Sequence, residues 1–417
     1  MSTFITEFIF FIICISAFVN IKILHNSFIE PTFIFSNIWL GFIFFANVTI
    51  KFDYSYLGMA YIMVLCLIGF FVNIYVGSLF NSTYFIKSDT QFNSAISKFI
   101  LFSTISLGML VPILNMRLNG FSLSYFSNFD AFLDMNNQMA VNRYSGIHKT
   151  STLLQILMIF AYFAPIVGGY HFASSKDTKN KLIGIMGLIP TLCDLLVQNT
   201  KNELLSSILL FLSASFVANV YLNKKIYFKI KNIIMILVSG SAVLTLLILT
   251  MLFRLGEVTP DKFQFILNKF LVYAFGNIPT FDDWIVKYQE SGNYGFGKNT
   301  FIGVFNFLGF SDRIQGVYSE YILVEGFPAN IYTAFRGMIQ DFGIIGSVIF
   351  FAVLMISVSF AYHSLIRRIN VNMASFILLN GYFFILYSFI ISSWSYISYV
   401  LAMFLFLPYV KLVRVSR

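Results

Sequence analysis

Residues 340–362 read QDFGIIGSVIFFAVLMISVSFAY, and Asp341 is the one charged side chain among them. A helix needs about 20 mainly apolar residues to cross the hydrocarbon core of a bilayer, and this stretch is long enough to do so. It therefore predicts a membrane-spanning helix. The same pattern recurs along the rest of the chain.

The other apolar runs of similar length predict about ten more spans. They cover residues 3–20, 31–50, 56–80, 98–115, 151–172, 182–198, 203–222, 233–253, 371–392 and 394–411. Hydrophobic residues make up 58% of the chain, charged residues only 11%, and the mean hydropathy is +0.80. Because a soluble domain carries roughly 25% charged residues, we expect an all-α polytopic integral membrane protein with about eleven transmembrane helices.

The basic residues predict the orientation of the chain in the membrane. Short connections between spans carry Lys176, Lys179, Lys181, Lys224, Lys225, Lys229 and Lys231. The positive-inside rule places these connections and the C-terminus in the cytoplasm, and the long connections near 116–150 and 254–339 on the other side. The chain then divides into the first spans with an outer loop (1–253), a large outer loop before the ninth span (254–339), and the last spans with a basic tail (340–417). The net charge of +9 is scattered over the loops, so nucleic acid is not an expected partner.

The large loop 254–339 is expected to contain an amphipathic helix. Thr259, Pro260 and Asp261 form an N-cap with proline at the first helical position, and apolar residues follow at helical spacing up to Gly276. Such a helix lies on the outer leaflet, caps a cavity, or packs on the bundle. The stretch 281–330 beyond it is rich in aromatic, acidic and glycine residues, a composition that permits sugar binding.

Charged side chains in the outer half of the bundle are the candidate site residues, because charge in or beside a spanning helix is costly. The basic ones are Arg117, Arg143, Lys201, Arg254 and Arg336. Together they could bind an anion, since a guanidinium group holds phosphate oxygens bidentately. Each arginine alone could equally anchor a helix end at the interface. Asp194, inside the 182–198 run, is either functional or a satisfied polar group.

No metal or cofactor site is predicted. The histidines and cysteines lack metal-ligand spacing, and no motif of a soluble enzyme is present. Asp282 and Asp283 form an acidic pair in the outer loop, which a solvated turn explains better than a metal site.

Residues 329–346, ANIYTAFRGMIQDFGIIG, resemble the N-x-Y-T and D-F-G-x-x-G stretch of the oligosaccharide repeat-unit polymerases, the Wzy-type O-antigen polymerases of bacteria. Pro31 at the start of the second span and the Arg143-Tyr144-Ser145-Gly146 stretch are also similar. The architectural resemblance covers nearly the whole chain, whereas similarity of individual residues covers only a small part of it.

The resemblance implies a GT-C-like glycosyltransferase of the bacterial inner membrane with a periplasmic active site. Its substrates would be undecaprenyl-pyrophosphate-linked oligosaccharides, and a chain-length regulator is the usual partner in the family. A hydroxyl of one lipid-linked unit attacks the anomeric carbon of another, and lipid pyrophosphate leaves. Arg143, Arg254 and Arg336 would neutralise the leaving group, so that no metal is required.

The same resemblance suggests roles for other residues. Asp341 or Asp194 would accept the proton of the attacking hydroxyl, although Asp341 could instead cap the helix that begins there. Asn330 and Tyr332 would hold sugar hydroxyls. Lys201 lies where related enzymes often have arginine, and lysine lacks the bidentate fork.

Two alternatives share parts of this pattern. An O-antigen ligase has the same architecture and outward arginines, but its acceptor is lipid A core. A flippase for lipid-linked oligosaccharides would place its charges along a central cavity and would lack the large loop before the ninth span.

Overall fold

The computed structural model describes residues 28–80, 90–145, 147, 149–223, 240–241, 245, 248, 260–290, 292–311, 318 and 320–416. The protein is 77% helical and has no closed sheet among these residues. Helices α1 (Pro31–Thr49) and α2 (Leu57–Leu79) are followed by α3 (Ser94–Gly108), which continues into α4 (Leu110–Leu118). Helix α5 covers Phe129–Tyr144, α6 Thr152–Ser174, α7 Thr178–Ile185, α8 Ile189–Gln198 and α9 Lys201–Tyr221.

Helices of the C-terminal half are more varied in length. They are α10 (Pro260–Phe275), α11 (Asn277–Lys287), α12 (Ile302–Phe307), α13 (Thr333–Ile366), α14 (Val371–Tyr387) and α15 (Ile397–Val413). Strand β1 (Thr90–Phe92) pairs antiparallel with β4 (Arg414–Ser416), and β2 (Ile322–Val324) forms a hairpin with β3 (Phe327–Ala329).

Within the described part of the chain, seven helical stretches are long and apolar enough to cross a membrane. They are Pro31–Thr49, Leu57–Leu79, Ser94–Leu118, Thr152–Ser174, Thr178–Gln198, Lys201–Tyr221 and Thr333–Ile366. The expectation of an all-α, multi-pass membrane protein is thereby confirmed.

The total of about eleven spans stays a prediction. The run 3–20 and nearly all of 233–253 lie outside the described residues. The last two predicted spans are apolar helices, α14 and α15, of 17 residues each.

The described residues divide into two compact units. The first is drawn from Met1–Ile86, Asn223–Ile226 and Asn268–Ile397, and the second from Lys87–Leu222, Tyr227–Leu267 and Ser398–Arg417. In the first, the buried rings of Phe35, Trp39, Phe281 and Phe335 pack together. In the second, α6 packs on α9, with Gly169 directly against the backbone of Phe211. Small residues allow helices in membranes to approach in this way.

Helix α13 starts at Thr333, earlier than the predicted start near residue 340, and it is bent. Gly343 has φ 72° and ψ 176°, which are not helical values. The bend leaves the N–H of Ile344 without its helical acceptor, and the carboxylate of Glu290 accepts it at 3.3 Å. The predicted amphipathic helix is present as α10, and its C-terminal half packs through Val272 against Ile50 and the β2–β3 hairpin.

Candidate functional site

Arg336 lies in the first turn of α13, and aromatic rings surround its guanidinium group. The central carbon of this group is 4.0 Å from the ring centre of Tyr318, 4.2 Å from that of Tyr332 and 5.2 Å from that of Trp284. Arg336 is only 3% exposed. We call these four residues the Arg336 cage. Because the negative faces of aromatic rings stabilise a cation, the cage can hold the charge of Arg336 away from water.

Backbone contacts fix the start of α13 and so position Arg336. Thr333 has a positive φ of 67°, and its hydroxyl accepts the N–H of Phe335 at 3.2 Å. The N–H of Ala334 donates to the carbonyl of Ser388 at 2.8 Å. Two of the N–H groups that a helix start leaves unpaired are thus satisfied, and the first turn is held in one orientation.

The guanidinium group of Arg336 has one acidic partner among the described residues. Its Nη2 donates to Oε2 of Glu320 at 2.7 Å, whereas its Nε and Nη1 atoms are buried with no hydrogen-bond partner there. Buried donors are nearly always paired in folded proteins, and an unpaired one costs about 1–3 kcal/mol. The cage therefore offers donors for the oxygen atoms of a ligand.

The electrostatics of the cage favour an anion. Burial raises the pKa of the Tyr318 and Tyr332 phenols above the usual value, although nearby Arg336 opposes the shift. Both phenols are consequently neutral at physiological pH, so the rings add no negative charge. Arg336 also lies at a helix N-terminus, where the helix dipole disfavours a cation and favours an anion.

Asn330 and Tyr332 lie just before the start of α13. Tyr332 is buried as a wall of the cage, and Asn330 is exposed just after β3. Two predicted substrate-binding residues are therefore brought to the same short segment as Arg336. The contacts of Tyr318 and Trp284 with Arg336 were not foreseen, because they come from distant parts of the outer loop.

Asp341 is fully buried, and both of its carboxylate oxygens have partners. Oδ1 accepts the N–H of Asn299 at 3.0 Å and its side-chain amide at 2.9 Å, and Oδ2 accepts the N–H of Thr300 at 2.6 Å. Among the described residues this carboxylate accepts from the 295–300 loop and not from an N–H group of α13, so it does not act as the cap of this helix. Its carboxylate attaches the 295–300 loop to the helix, and its role as proton acceptor stays a prediction.

The second unit holds Asp194 and Arg143 at the tip of the α8–α9 hairpin. Asp194 is buried and accepts from the side-chain amides of Asn115 at 3.0 Å and Gln198 at 2.8 Å. The Arg143 guanidinium donates to the backbone carbonyl of Gln198. These contacts favour the interpretation of Asp194 as a satisfied polar group.

The other predicted basic residues are less informative. Lys201 is half-buried at the first position of α9, and Arg117 is exposed in the last turn of α4. Arg254 lies outside the described residues. The phosphate-binding roles of Arg143, Lys201 and Arg254 stay predictions.

Glu203 belongs to the same hairpin and was missed by the sequence analysis. Its carboxylate accepts the Thr200 hydroxyl at 2.7 Å and interacts with Asp194 and Arg143. An acidic residue in the first turn of an apolar helix was the available signal, since charge there is costly. Glu203 is thus a second carboxylate that could take a proton at this tip.

Asp282 and Asp283, the acidic pair of the outer loop, make different contacts. Asp282 is buried and accepts the N–H groups of Ser55 at 2.7 Å and Gly58 at 2.7 Å, so the expectation of a solvated turn is wrong for it. Asp283 instead pairs with Lys287 at 2.7 Å near the surface. Asp282 caps α2, because the side chain of the N-cap residue Tyr56 does not itself form the capping hydrogen bond. Within the described residues, no group of three His, Cys, Asp or Glu side chains could hold a metal ion.

The chain was compared with known protein families, with curated proteins and with solved structures. No match was found in any of the three comparisons.

Proposed function

We propose that this protein is a glycosyltransferase that polymerises undecaprenyl-pyrophosphate-linked oligosaccharide repeat units into O-antigen or a similar surface polysaccharide. It acts at the periplasmic face of the bacterial inner membrane, with a GT-C-like fold of about eleven spans and a cytoplasmic C-terminus. A chain-length regulator is its expected protein partner. The proposal rests on the 329–346 resemblance and on the Arg336 cage.

The observation that carries the proposal is the buried guanidinium of Arg336, two of whose nitrogen atoms have no hydrogen-bond partner among the described residues. A polymerase of this kind must stabilise the negative charge that grows on a lipid pyrophosphate as the glycosidic bond breaks. A fixed cation in a water-poor site does this well, because its donors need no reorganisation during the reaction. The Nε and Nη1 atoms of Arg336 supply such donors, and no metal ion is then needed for the charge.

The aromatic rings beside Arg336 suit the sugar that is attached to the pyrophosphate. A pyranose has apolar faces that pack on aromatic rings and hydroxyl edges that need polar partners. Trp284 and Tyr332 supply rings within 5.2 Å of the guanidinium carbon, and Asn330 supplies an exposed amide two residues from Tyr332. The donor's diphosphate and first sugar would therefore bind side by side.

In the proposed reaction, an oxygen of the acceptor sugar bonds to the anomeric carbon of the donor. The bond between that carbon and the pyrophosphate oxygen breaks, and the electron pair leaves with the lipid pyrophosphate. The hydroxyl proton passes to a carboxylate. Asp341 and Asp194 remain the candidates.

The test replaces the chromosomal gene with Arg336→Lys and examines the surface polysaccharide on a silver-stained gel. Lysine keeps one charge but cannot supply the planar donors, so the ladder should collapse to core carrying a single repeat unit. Arg367→Lys is the matched control, because Arg367 lies over the ring of Phe80 at the other end of α13. Its ladder should stay complete.

Other outcomes would contradict the proposal. A normal ladder with Arg336→Lys, at normal protein level, would mean that the cage binds no substrate phosphate. Complete loss of polymer after gene deletion, with lipid-linked units accumulating, would indicate a ligase or a flippase instead. Purified protein supplied with lipid-linked units and lipid A core would then separate those two.

A further inference from the structure

A short uncharged segment of the large loop follows Lys298. Residues 299–311, NTFIGVFNFLGFS, contain no charged side chain, and Asp312 and Arg313 come next in the sequence. The segment includes α12, which has six residues and is far shorter than the roughly 20 residues of a spanning helix. It cannot cross a bilayer, yet its composition is that of a membrane segment.

The apolar side chains of this segment are exposed instead of packed. Phe307 and Phe310 are each 67% exposed, and Leu308 between them is also exposed. In water, a group of large exposed side chains like this one marks an interaction surface.

Contacts with α13 locate the segment relative to the membrane. The ring of Phe301 lies 6.0 Å from that of Phe350 and 5.0 Å from that of Trp394. Phe350 is about 9 Å along the helix from Ile344, where α13 resumes after the bend, and its ring stacks on that of Phe342 at 5.0 Å. Ile345 and Ile349 of the apolar stretch 342–362 are exposed, as expected of side chains that face lipid. The segment therefore packs beside the N-terminal end of this apolar stretch.

The backbone of the segment is suited to an apolar environment, where each unpaired polar group costs several kcal/mol. The N–H of Phe301 donates to the carbonyl of Gly297 at 2.8 Å, and that of Gly303 to Trp394 at 3.2 Å. Further N–H groups that donate to carbonyls within the segment are those of Val304, Phe305, Leu308, Gly309 and Phe310. These seven paired N–H groups lower the cost of placing the segment among acyl chains.

We propose that residues 301–310 form a re-entrant turn that enters the leaflet next to the N-terminal end of α13, with lipid acyl chains covering Phe307, Leu308 and Phe310. The absence of charge and the packing of Phe301 beside the apolar stretch of α13 favour lipid over an aqueous surface. This part of the large loop then lies in the membrane, in contrast to the expectation of a periplasmic loop.

Spin labelling of the full-length protein in lipid vesicles tests this inference. The three native cysteines are replaced by alanine, and single cysteines are placed at Phe307 or Phe310 and labelled with a nitroxide. Collision of the label with oxygen, which concentrates in hydrocarbon, is compared with collision with a water-soluble nickel chelate. Ile345→Cys serves as the lipid-facing control and Lys298→Cys as the water-facing control, and both positions are exposed.

Labels at Phe307 and Phe310 should match the label at Ile345, with an oxygen-to-nickel ratio several-fold above that at Lys298. A ratio equal to that at Lys298 would place the turn in water and overturn the proposal. Low accessibility to both reagents would mean that a partner protein or a second copy covers the turn, which also overturns it. The two control labels verify, in the same background, that the protein is folded and inserted.

Discussion

The Nη2 atom of Arg336 lies 2.7 Å from Oε2 of Glu320, so a carboxylate that is 66% exposed neutralises one edge of a buried guanidinium. The exposed partner can rotate into water at little cost, whereas Arg336 is held by three rings. A substrate phosphate that uses Nη2 has to displace this carboxylate. The pair is therefore a contact that a ligand can replace.

Removing the charge of Glu320 should strengthen anion binding at the cage. We expect Glu320→Gln to bind inorganic pyrophosphate several-fold more tightly than the unchanged protein, measured by calorimetry in detergent at low salt, because the competing carboxylate is lost. Glu325→Gln is the control, since Glu325 is exposed and accepts the N–H of Lys51 at 2.8 Å. Weaker binding by Glu320→Gln would show that this carboxylate builds the site instead of competing for it.

Asp282 should matter for stability and Asp283 should not. Asp282→Asn removes a charged acceptor from the start of α2, where hydrogen bonds to a charged group contribute about 1.5–3 kcal/mol. We expect a clear fall in the thermal unfolding midpoint. Asp283→Asn breaks only a surface pair with Lys287, worth about 0.3–0.5 kcal/mol. Equal midpoints for the two variants would contradict the capping role of Asp282.

Asp341→Asn should loosen the 295–300 loop. The amide nitrogen of asparagine would face either the two donors of Asn299 or the N–H of Thr300, and at least one donor would lose its acceptor, at about 1–3 kcal/mol. Limited proteolysis should cleave this loop faster, and the unfolding midpoint should fall. A double-mutant cycle with Asn299→Ala should show coupling. If Asp341→Asn abolished polymerisation but changed neither the proteolysis rate nor the unfolding midpoint, Asp341 would act as the proton acceptor and not as an anchor of the loop.

Gly343→Ala should destabilise α13 more than Gly346→Ala. Gly343 has a positive φ, and a Cβ there would overlap the carboxylate of Glu290. Only glycine adopts this combination of φ and ψ readily, and a residue with a side chain would be strained there by about 1–3 kcal/mol. A Cβ added at Gly346 would instead lie 3.0 Å from Cβ of Phe342, which is a tight contact but not an overlap. Thermal unfolding of the two variants in the same detergent compares them, and similar midpoints would contradict the account of the bend.

Membrane insertion could be predicted from the sequence because it depends on the summed hydropathy of residues that are consecutive along the chain. The apolar run that contains Phe350 is long enough to cross a bilayer whatever the rest of the chain does. The candidate cation Arg336 was also recognisable, because charge at the end of an apolar run is costly.

Tertiary structure decided what these residues contact. The cage joins Trp284, Tyr318 and Arg336, and Asp282 caps α2 from a position 224 residues away from Gly58. Periodicity and composition report only on neighbours along the chain, so they could place Asp282 in a turn and make Asp341 a helix cap, both wrongly. The bend at Gly343 and the re-entrant turn at Phe307 depend likewise on which buried donors and acceptors meet, and that pairing is settled only when distant segments pack.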